Sequence, residues 1–172
     1  MPEDARPYPS ASPLNGKDLS QLLTTAHQLC ESRGTRLTPI RRKVLEILLR
    51  EQRSLKAYEL LDLIRAIQPG AAPPTVYRAL DFLVEQHLVH RLDAINAWAA
   101  CMDAAGNHHD ILVVCTRCGA VAELSDPALS RQLAERVAQS GFRLVSSETE
   151  LRAECSTCGK TQDVCSNSSA VL

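Results

Sequence analysis

The chain is poor in aromatic residues, which form 3% of its 172 residues, although hydrophobic residues form 45%. No stretch approaches the ~20 apolar residues that span a bilayer. Residues 1–13 contain no signal-peptide pattern. These absences argue against a membrane protein, and we expect a cytoplasmic one. The core must be packed mainly by Leu, Ala and Val, a composition that favours helices.

No large excess of either charge is present, because the formal net charge is −1. The whole chain is therefore not a general binder of polyanions. Residues 1–101 nevertheless carry 13 Lys or Arg against 11 Asp or Glu, and the rest carry 6 against 9. A basic cluster of this kind is usually a solvated face, but it is also a candidate phosphate-binding surface. Its members are Arg33, Arg36, Arg41, Arg42, Lys43, Arg50, Arg53 and Lys56.

Cysteine is present in an odd number, seven, which does not suit a disulfide framework. Four of the seven form two Cys-x-x-Cys hooks, each followed by a glycine: Cys115 and Cys118, then Cys155 and Cys158. Four thiolates in two such hooks match a closed tetrahedral zinc site. We therefore predict a structural zinc ion here. A redox dithiol is the alternative, but it requires one hook at the start of a helix, not a pair at strand ends.

The first half of the chain predicts a helical domain. Residues 1–16 are rich in Pro and Ser and are expected to be disordered. Four helices with 3.6-residue apolar periodicity follow, and two short strands flank the loop 93–96. Helices followed by a β-hairpin form a winged helix-turn-helix, which we assign to residues 17–101. The predicted helices span 18–32, about 38–50, 57–67 and 73–86.

The second half predicts a small α/β domain over residues 110–160. Residues 102–109 are expected to be a hinge and 161–172 a flexible tail. Strands are predicted at 111–114, 120–124 and 142–153, with a helix from about 125 to 139. The overall class is α+β.

The segment Pro73–Gln86 is the candidate recognition helix. Its first turns expose Thr75, Tyr77 and Arg78. Residues at the start of such a helix contact base edges in the major groove, and arginine is the commonest reader of guanine. An ordinary amphipathic helix with a solvent-facing arginine is the alternative.

The predicted hairpin brings two possible metal ligands onto one face. If Leu92 pairs with Ala97, His90 lies opposite Ala99, and Cys101 follows two residues later on the same side. Diagonal neighbours of this kind are close enough to share a metal ion if their side chains lean together.

Three stretches together resemble the ferric uptake regulator family: Arg36–Arg41, Pro73–Leu83 and the paired hooks. The zinc-sensing branch is the most similar. The resemblance covers about residues 18–160 and implies a homodimeric, metal-responsive repressor of zinc uptake and homeostasis genes, not an enzyme. It implies that Arg78 reads bases and that Tyr58 contacts DNA, and we expect an AT-rich, palindromic, double-stranded operator.

The resemblance also implies a second, regulatory zinc site, which makes two zinc ions per protomer. Its ligands would be His90 and Cys101 from the wing, a hinge histidine, and Glu123. Counting back from the first hook selects His108 as the hinge ligand, and counting forward from Cys101 selects His109. We favour His108.

The donor set of this site favours zinc, because a thiolate disfavours the harder manganese and an iron sensor would offer more His, Glu or Asp. An iron-, manganese- or peroxide-responsive regulator remains the alternative function, and a zinc-stabilised protein-interaction module is another. Asp62 and Arg65 form a weak exposed ion pair or remain two separate solvated charges, or they pair between dimers bound side by side on one operator.

Overall fold

The structure is a computed structural model that describes residues 14–103, 110–145 and 148–159. These residues form two compact units, which are separated between residues 103 and 110. No helix in the described ranges is long and apolar enough to cross a membrane. The predicted α+β class is confirmed. The segments 1–13, 104–109 and 160–172, where much of the expected disorder, the hinge and the tail fall, lie outside the described residues.

The N-terminal unit consists of four helices and a two-stranded hairpin. Its elements are α1 (Gly16–Ser32), α2 (Pro39–Glu51), α3 (Ala57–Ile67), α4 (Pro73–Glu85), β1 (Val89–Leu92) and β2 (Ala97–Ala100). The bounds of α3 are those that the sequence predicts. Helix α1 begins two residues earlier than its periodicity indicates, because the Asn15 side chain accepts hydrogen bonds from the N–H groups of Lys17 and Asp18.

Aliphatic side chains from all four helices fill the core of this unit, as their predicted apolar periodicity requires. Leu48, Leu60, Leu80 and Leu83 are completely buried, and so is Cys30 on α1. Each buried leucine contributes about 1.5–3 kcal/mol of transfer free energy. Two aromatic side chains, Phe82 and Trp98, join the aliphatic ones in this core.

The hairpin has the register that the sequence predicts. Leu92 pairs with Ala97 and His90 pairs with Ala99. Trp98 also exchanges two backbone hydrogen bonds of 2.8 Å with Leu55, in the segment that precedes α3. This contact ties β2 to the helices at the centre of the strand.

The C-terminal unit contains a three-stranded sheet with β3 at its centre. Its elements are β3 (Ile111–Cys115), β4 (Val121–Leu124), α5 (Pro127–Gln139), β5 (Thr149–Ala153) and the short α6 (Ser156–Gly159). Strand β4 pairs antiparallel with β3, and β5 pairs parallel with β3 on the other side. Asp126 caps α5 by accepting from the N–H groups of Ala128 and Leu129.

The third strand of this unit is much shorter than predicted. The sequence indicates a strand from Phe142 to Ala153, but Phe142–Val145 is irregular and β5 begins at Thr149. The reason is the length of the partner strand: Thr149 pairs with Ile111, the first residue of β3. Phe142–Val145 therefore have no position on β3 to bond with, despite their β propensity.

Candidate metal centres and nucleic-acid interface

Parallel pairing of β3 and β5 brings the two cysteine hooks to one edge of the sheet. Cys115 ends β3 opposite Ala153, which ends β5, and the second hook starts two residues later. The sulfur atoms of Cys115, Cys118, Cys155 and Cys158 all lie within 4.8 Å of one another. Those of Cys118 and Cys155 are 3.7 Å apart. Sulfurs around a tetrahedral zinc with Zn–S bonds of about 2.3 Å lie about 3.8 Å apart, so this donor set fits zinc.

Backbone turns hold each hook in shape. In the first hook, Gly119 has a φ of 74° and its N–H donates to the Cys115 carbonyl at 3.0 Å. This left-handed conformation favours glycine. In the second hook, the Gly159 N–H donates to the Cys155 carbonyl at 2.9 Å. Arg117 joins the hooks by donating to the Cys158 carbonyl at 3.4 Å.

Hydrogen bonds distribute protons unequally among the four thiols. Burial raises the pKa of Cys115, but N–H groups of Cys118, Cys155 and Arg117 point at its sulfur and lower the pKa to about 6. Hydrogen bonds within the cluster, the one to Cys155 first, raise the pKa of Cys158 to about 12. The hydrogen bonds thus favour the thiolate form of Cys115 in the absence of a metal ion. A closed zinc site requires all four cysteines as thiolates.

A second pair of metal donors lies in the N-terminal unit. His90 on β1 and Cys101, which follows β2, are each 7% exposed. A ring nitrogen of His90 and the sulfur of Cys101 lie within 4.8 Å of each other. The Cys101 N–H donates to the Leu88 carbonyl at 3.0 Å, which fixes the cysteine beside the strand. Ligands sharing a tetrahedral zinc through N and S lie about 3.6 Å apart, so this pair fits zinc with a small adjustment.

One further predicted ligand of the regulatory site belongs to the C-terminal unit. Glu123 lies in β4 of the C-terminal unit, where it is half-buried and pairs with Leu112. His108 and His109 lie outside the described residues. The structure therefore brings together His90 and Cys101 within one unit.

Helix α4 presents the predicted DNA-contacting residues to solvent. Thr75, Tyr77 and Arg78 are exposed, and Arg78 forms no ion pair or side-chain hydrogen bond with any described residue. An open cleft of about 230 Å³ lies between the first turns of α2 and α4. It is lined by Thr38, Ile40, Arg41, Thr75, Arg78 and Ala79.

Sequence and structure comparisons agree with this arrangement. A family model described as the Ferric uptake regulator family matches residues 32–152. The chain belongs to the ferric uptake regulator family. That family consists of regulators and not of enzymes, in agreement with the sequence.

Within the ferric uptake regulator family, the zinc uptake regulation protein of Escherichia coli (strain K12) is 38% identical over 139 residues. The match covers 80% of this chain and 81% of that protein. A solved structure of a zinc uptake regulator complexed with zinc and DNA matches with a TM-score of 0.76 at 36% identity, over 84% of this chain and 97% of that one. The crystal structure of holo XcZur matches with a TM-score of 0.69 at 38% identity, over 81% and 98% of the two chains.

Most of the basic cluster of this family member is engaged in internal contacts. Lys43 and Arg50 both pair with Glu46, and Arg53 pairs with Glu51 and Glu59. The cluster is therefore not uniformly available for phosphate.

Two arginines of the same cluster remain exposed without a side-chain partner in the described part of the chain. They are Arg36 and Arg42, at and near the start of α2. Arg33, in contrast, donates to the Gln86 carbonyl at the end of α4. The candidate phosphate-binding surface thus narrows to a few positions.

The two charged residues on α3 do not pair with each other. Arg65 donates from Nε to the Ala71 carbonyl at 3.1 Å, and Asp62 is exposed. The expected weak ion pair between Asp62 and Arg65 is therefore absent. Tyr58, on the first turn of α3, is 62% exposed.

Two ring contacts of the N-terminal unit could not be predicted from the sequence. Arg41 lies over the ring of Phe82, and Trp98 packs edge-on against Tyr77. In the sequence, these contacts are indicated only by the single tryptophan, Trp98 in the wing, and by Arg41 on the half-buried side of α2. Neither signal indicates which ring lies opposite.

Proposed function

We propose that this protein is a zinc-responsive, DNA-binding transcriptional repressor of zinc uptake and homeostasis genes. The observation that carries the proposal is the buried His90–Cys101 donor pair on the wing of a winged-helix unit. A thiolate and an imidazole are suited to zinc. The proposal is supported by similarity to the zinc uptake regulation protein of Escherichia coli.

Two zinc ions per protomer, with different tasks, follow from the two donor sets. Cys115, Cys118, Cys155 and Cys158 offer a complete set of four ligands, as a structural zinc site requires. His90 and Cys101 offer two ligands, to which we add Glu123 and the hinge residue His108, with His109 as the alternative. An incomplete local set that must recruit ligands from elsewhere in the chain is suited to sensing.

Zinc at the second site would supply a tetrahedral cross-link between its ligands. His90 and Cys101 would then hold the wing, while Glu123 and the hinge histidine hold the neighbouring segments. Fixing these segments selects, from many relative orientations of the DNA-binding units, those that match two half-sites. By linkage, the operator should tighten zinc binding by the same factor.

The DNA contacts are assigned to the exposed face of α4 and the start of α3. Arg78 is the proposed base reader, and its guanidinium is not used by any described residue. Thr75 and Tyr77 lie beside it, and Tyr58 is a further contact. Arg36 and Arg42 are placed to bind phosphate. A palindromic, AT-rich operator would match a symmetric pair of such surfaces.

A homodimer accounts for the exposed apolar residues of the C-terminal unit. Helix α5 has no buried residue, and Leu129 is 48% exposed. Phe142 and Val145 are 74% and 94% exposed. Apolar surface of this kind marks an interaction site. We further propose that Asp62 and the terminal guanidinium nitrogens of Arg65 pair between dimers bound side by side.

Binding to DNA as a function of free zinc, iron(II) or manganese(II) tests this proposal. The probe is a labelled duplex selected by the zinc-loaded protein from random sequences. Tight binding should require zinc, and Cys101→Ser should raise the zinc concentration needed by at least tenfold. Cys30→Ala is the matched control, since Cys30 is buried outside both donor sets. Equal activation by iron(II) or manganese(II), or no effect of Cys101→Ser, would refute the zinc assignment.

A further inference from the structure

Trp98, the single tryptophan of the chain, lies where the wing meets the helices. It is 4% exposed and belongs to the apolar core of the N-terminal unit. Its backbone exchanges two hydrogen bonds with Leu55 on one side and lies opposite Arg91 of β1 on the other. Its ring is therefore a rigid element of the wing.

The ring of Trp98 meets the ring of Tyr77 on α4. The ring centroids are 6.1 Å apart and the planes are inclined by 74°, an edge-to-face arrangement. Such pairs are stabilised by the quadrupoles of the two rings, in addition to buried area. Tyr77 is otherwise 48% exposed and directly precedes Arg78. Trp98 therefore restricts the orientation of the exposed Tyr77 ring on α4.

We propose that Trp98 is a positioning residue for DNA recognition, which fixes the Tyr77 ring on the reading face of α4. The proposal rests on the proposed function, in which this face meets the operator. A tyrosine held in one rotamer before binding loses less conformational entropy when it contacts DNA. The same contact joins the wing to α4, so the two elements meet DNA as one body.

Trp98 lies on the opposite face of the hairpin from the metal-donor pair. His90 pairs with Ala99 and Arg91 pairs with Trp98, and adjacent residues of a strand point to opposite faces. Substitution of Trp98 should therefore leave the zinc affinity of the His90–Cys101 pair unchanged. Zinc affinity thus serves as an internal control for any effect on DNA binding.

A sparing substitution exists at this position. The indole Nε1 of Trp98 is buried and has no hydrogen-bond partner among the described residues. Trp98→Phe removes this polar atom without breaking a hydrogen bond and retains an aromatic ring near Tyr77. Trp98→Leu removes the ring altogether. The pair of variants separates aromatic positioning from simple loss of volume.

The test is a double-mutant cycle on operator affinity at saturating zinc. The probe is the labelled duplex selected by the zinc-loaded protein, and binding is followed by fluorescence anisotropy. Tyr77→Leu and Trp98→Leu should each weaken binding by roughly three- to tenfold, the factor to which the energy of such a ring pair corresponds. The operator affinity of the double variant should lie within about twofold of that of the weaker-binding single variant. Trp98→Phe should bind almost as the wild type does.

Fully additive effects of Tyr77→Leu and Trp98→Leu would overturn the proposal. So would an equal loss in Leu88→Ala, a buried residue beside the same hairpin that has no ring to pack on Tyr77. If Trp98→Leu does not fold, the fluorescence emission of Trp98 provides the test. Adding duplex should change this emission in the wild-type protein and should leave it unchanged in Tyr77→Leu. Equal emission changes in both proteins would refute the proposal.

Arg78→Ala separates this inference from the proposed function. If Arg78→Ala abolishes binding and Tyr77→Leu has no effect, α4 still reads DNA through Arg78, and the roles of Tyr77 and Trp98 fail. If neither substitution alters binding, the assigned DNA surface itself is wrong.

Discussion

The guanidinium carbon of Arg41 lies 3.5 Å from the centroid of the Phe82 ring. Its NH1 group also donates to the Arg36 carbonyl at 2.7 Å. Arg41 belongs to α2 and Phe82 to α4, so a positive charge from the basic cluster fixes α4 to its neighbour. This arginine is therefore better placed to orient α4 than to bind phosphate.

Arg41→Lys should destabilise the protein, because an ammonium group keeps the charge but loses the planar stacking on Phe82. A cation–π contact contributes about 0.5–1 kcal/mol at an exposed site and more where water is excluded. The free energy of unfolding in urea should fall by about this amount, since Arg41 is half-buried. Arg42→Lys is the control, because Arg42 is exposed and has no side-chain partner in the described chain. Equal stability of the two variants would exclude the orienting role.

Cys118→Ser should remove one zinc equivalent and unfold or dissociate the protein. A structural zinc with four sulfur ligands stabilises the fold directly, and its binding free energy is of order 10 kcal/mol in small domains. Metal analysis together with thermal unfolding measures both effects. Cys101→Ser should keep the structural zinc and the fold. If both variants lose the same zinc ion, the division between structural and regulatory sites is incorrect.

Val145→Asp should convert the homodimer to monomers. Val145 is 94% exposed and follows Phe142 by three residues in the chain, and a buried unpaired charge is costly at an apolar interface. Sedimentation velocity measures the change in mass. Gln28→Asp is the control, because it adds the same charge at an exposed position of α1, and this variant should remain dimeric. A dimeric Val145→Asp protein would place the interface elsewhere.

Glu59→Gln should weaken the start of α3, which carries Tyr58. Burial raises the pKa of Glu59, but the Lys56 N–H at 2.8 Å and Arg53 at 3.2 Å outweigh burial and hold the pKa below its ordinary value. A lowered carboxyl pKa stabilises the fold above pH 4.5, and this stabilisation is lost as the pH falls through the lower folded-state value. Unfolding at pH 7 and at lower pH measures this.

The difference in unfolding free energy between wild type and Glu59→Gln should shrink as the pH falls below 4.5. Glu31→Gln is the control, since Glu31 is exposed and its ion-pair partner is His27, on the same helix. A pH-independent difference would show that the charge of Glu59 is not what stabilises the helix start.

Local signals in the sequence predicted much of this structure. The proline pair before Thr75 and the Pro-Gly after α3 mark helix ends by chemistry that acts within a few residues. The four-residue loop after Leu92 fixed the hairpin register, and with it the positions of His90 and Cys101. The paired hooks predicted a four-sulfur cluster because ligand spacing is itself local.

Features that depend on distant partners were not predictable in this way. The length of β5 is set by β3, and no residue of Phe142–Val145 signals where β3 begins. The Tyr77–Trp98 and Arg41–Phe82 contacts depend on how helices pack and on rotamers, which hydrophobic periodicity does not encode. The choice between His108 and His109 likewise remains a prediction.

The most direct test of the central claim is operator affinity measured as a function of zinc content. Native mass spectrometry gives the number of zinc ions per protomer, and anisotropy of the selected duplex gives the affinity of the same samples. A folded protein with one zinc per protomer should bind DNA weakly, and its affinity for DNA should rise at least tenfold when the second zinc enters. Equal affinity with one and two zinc ions would contradict it.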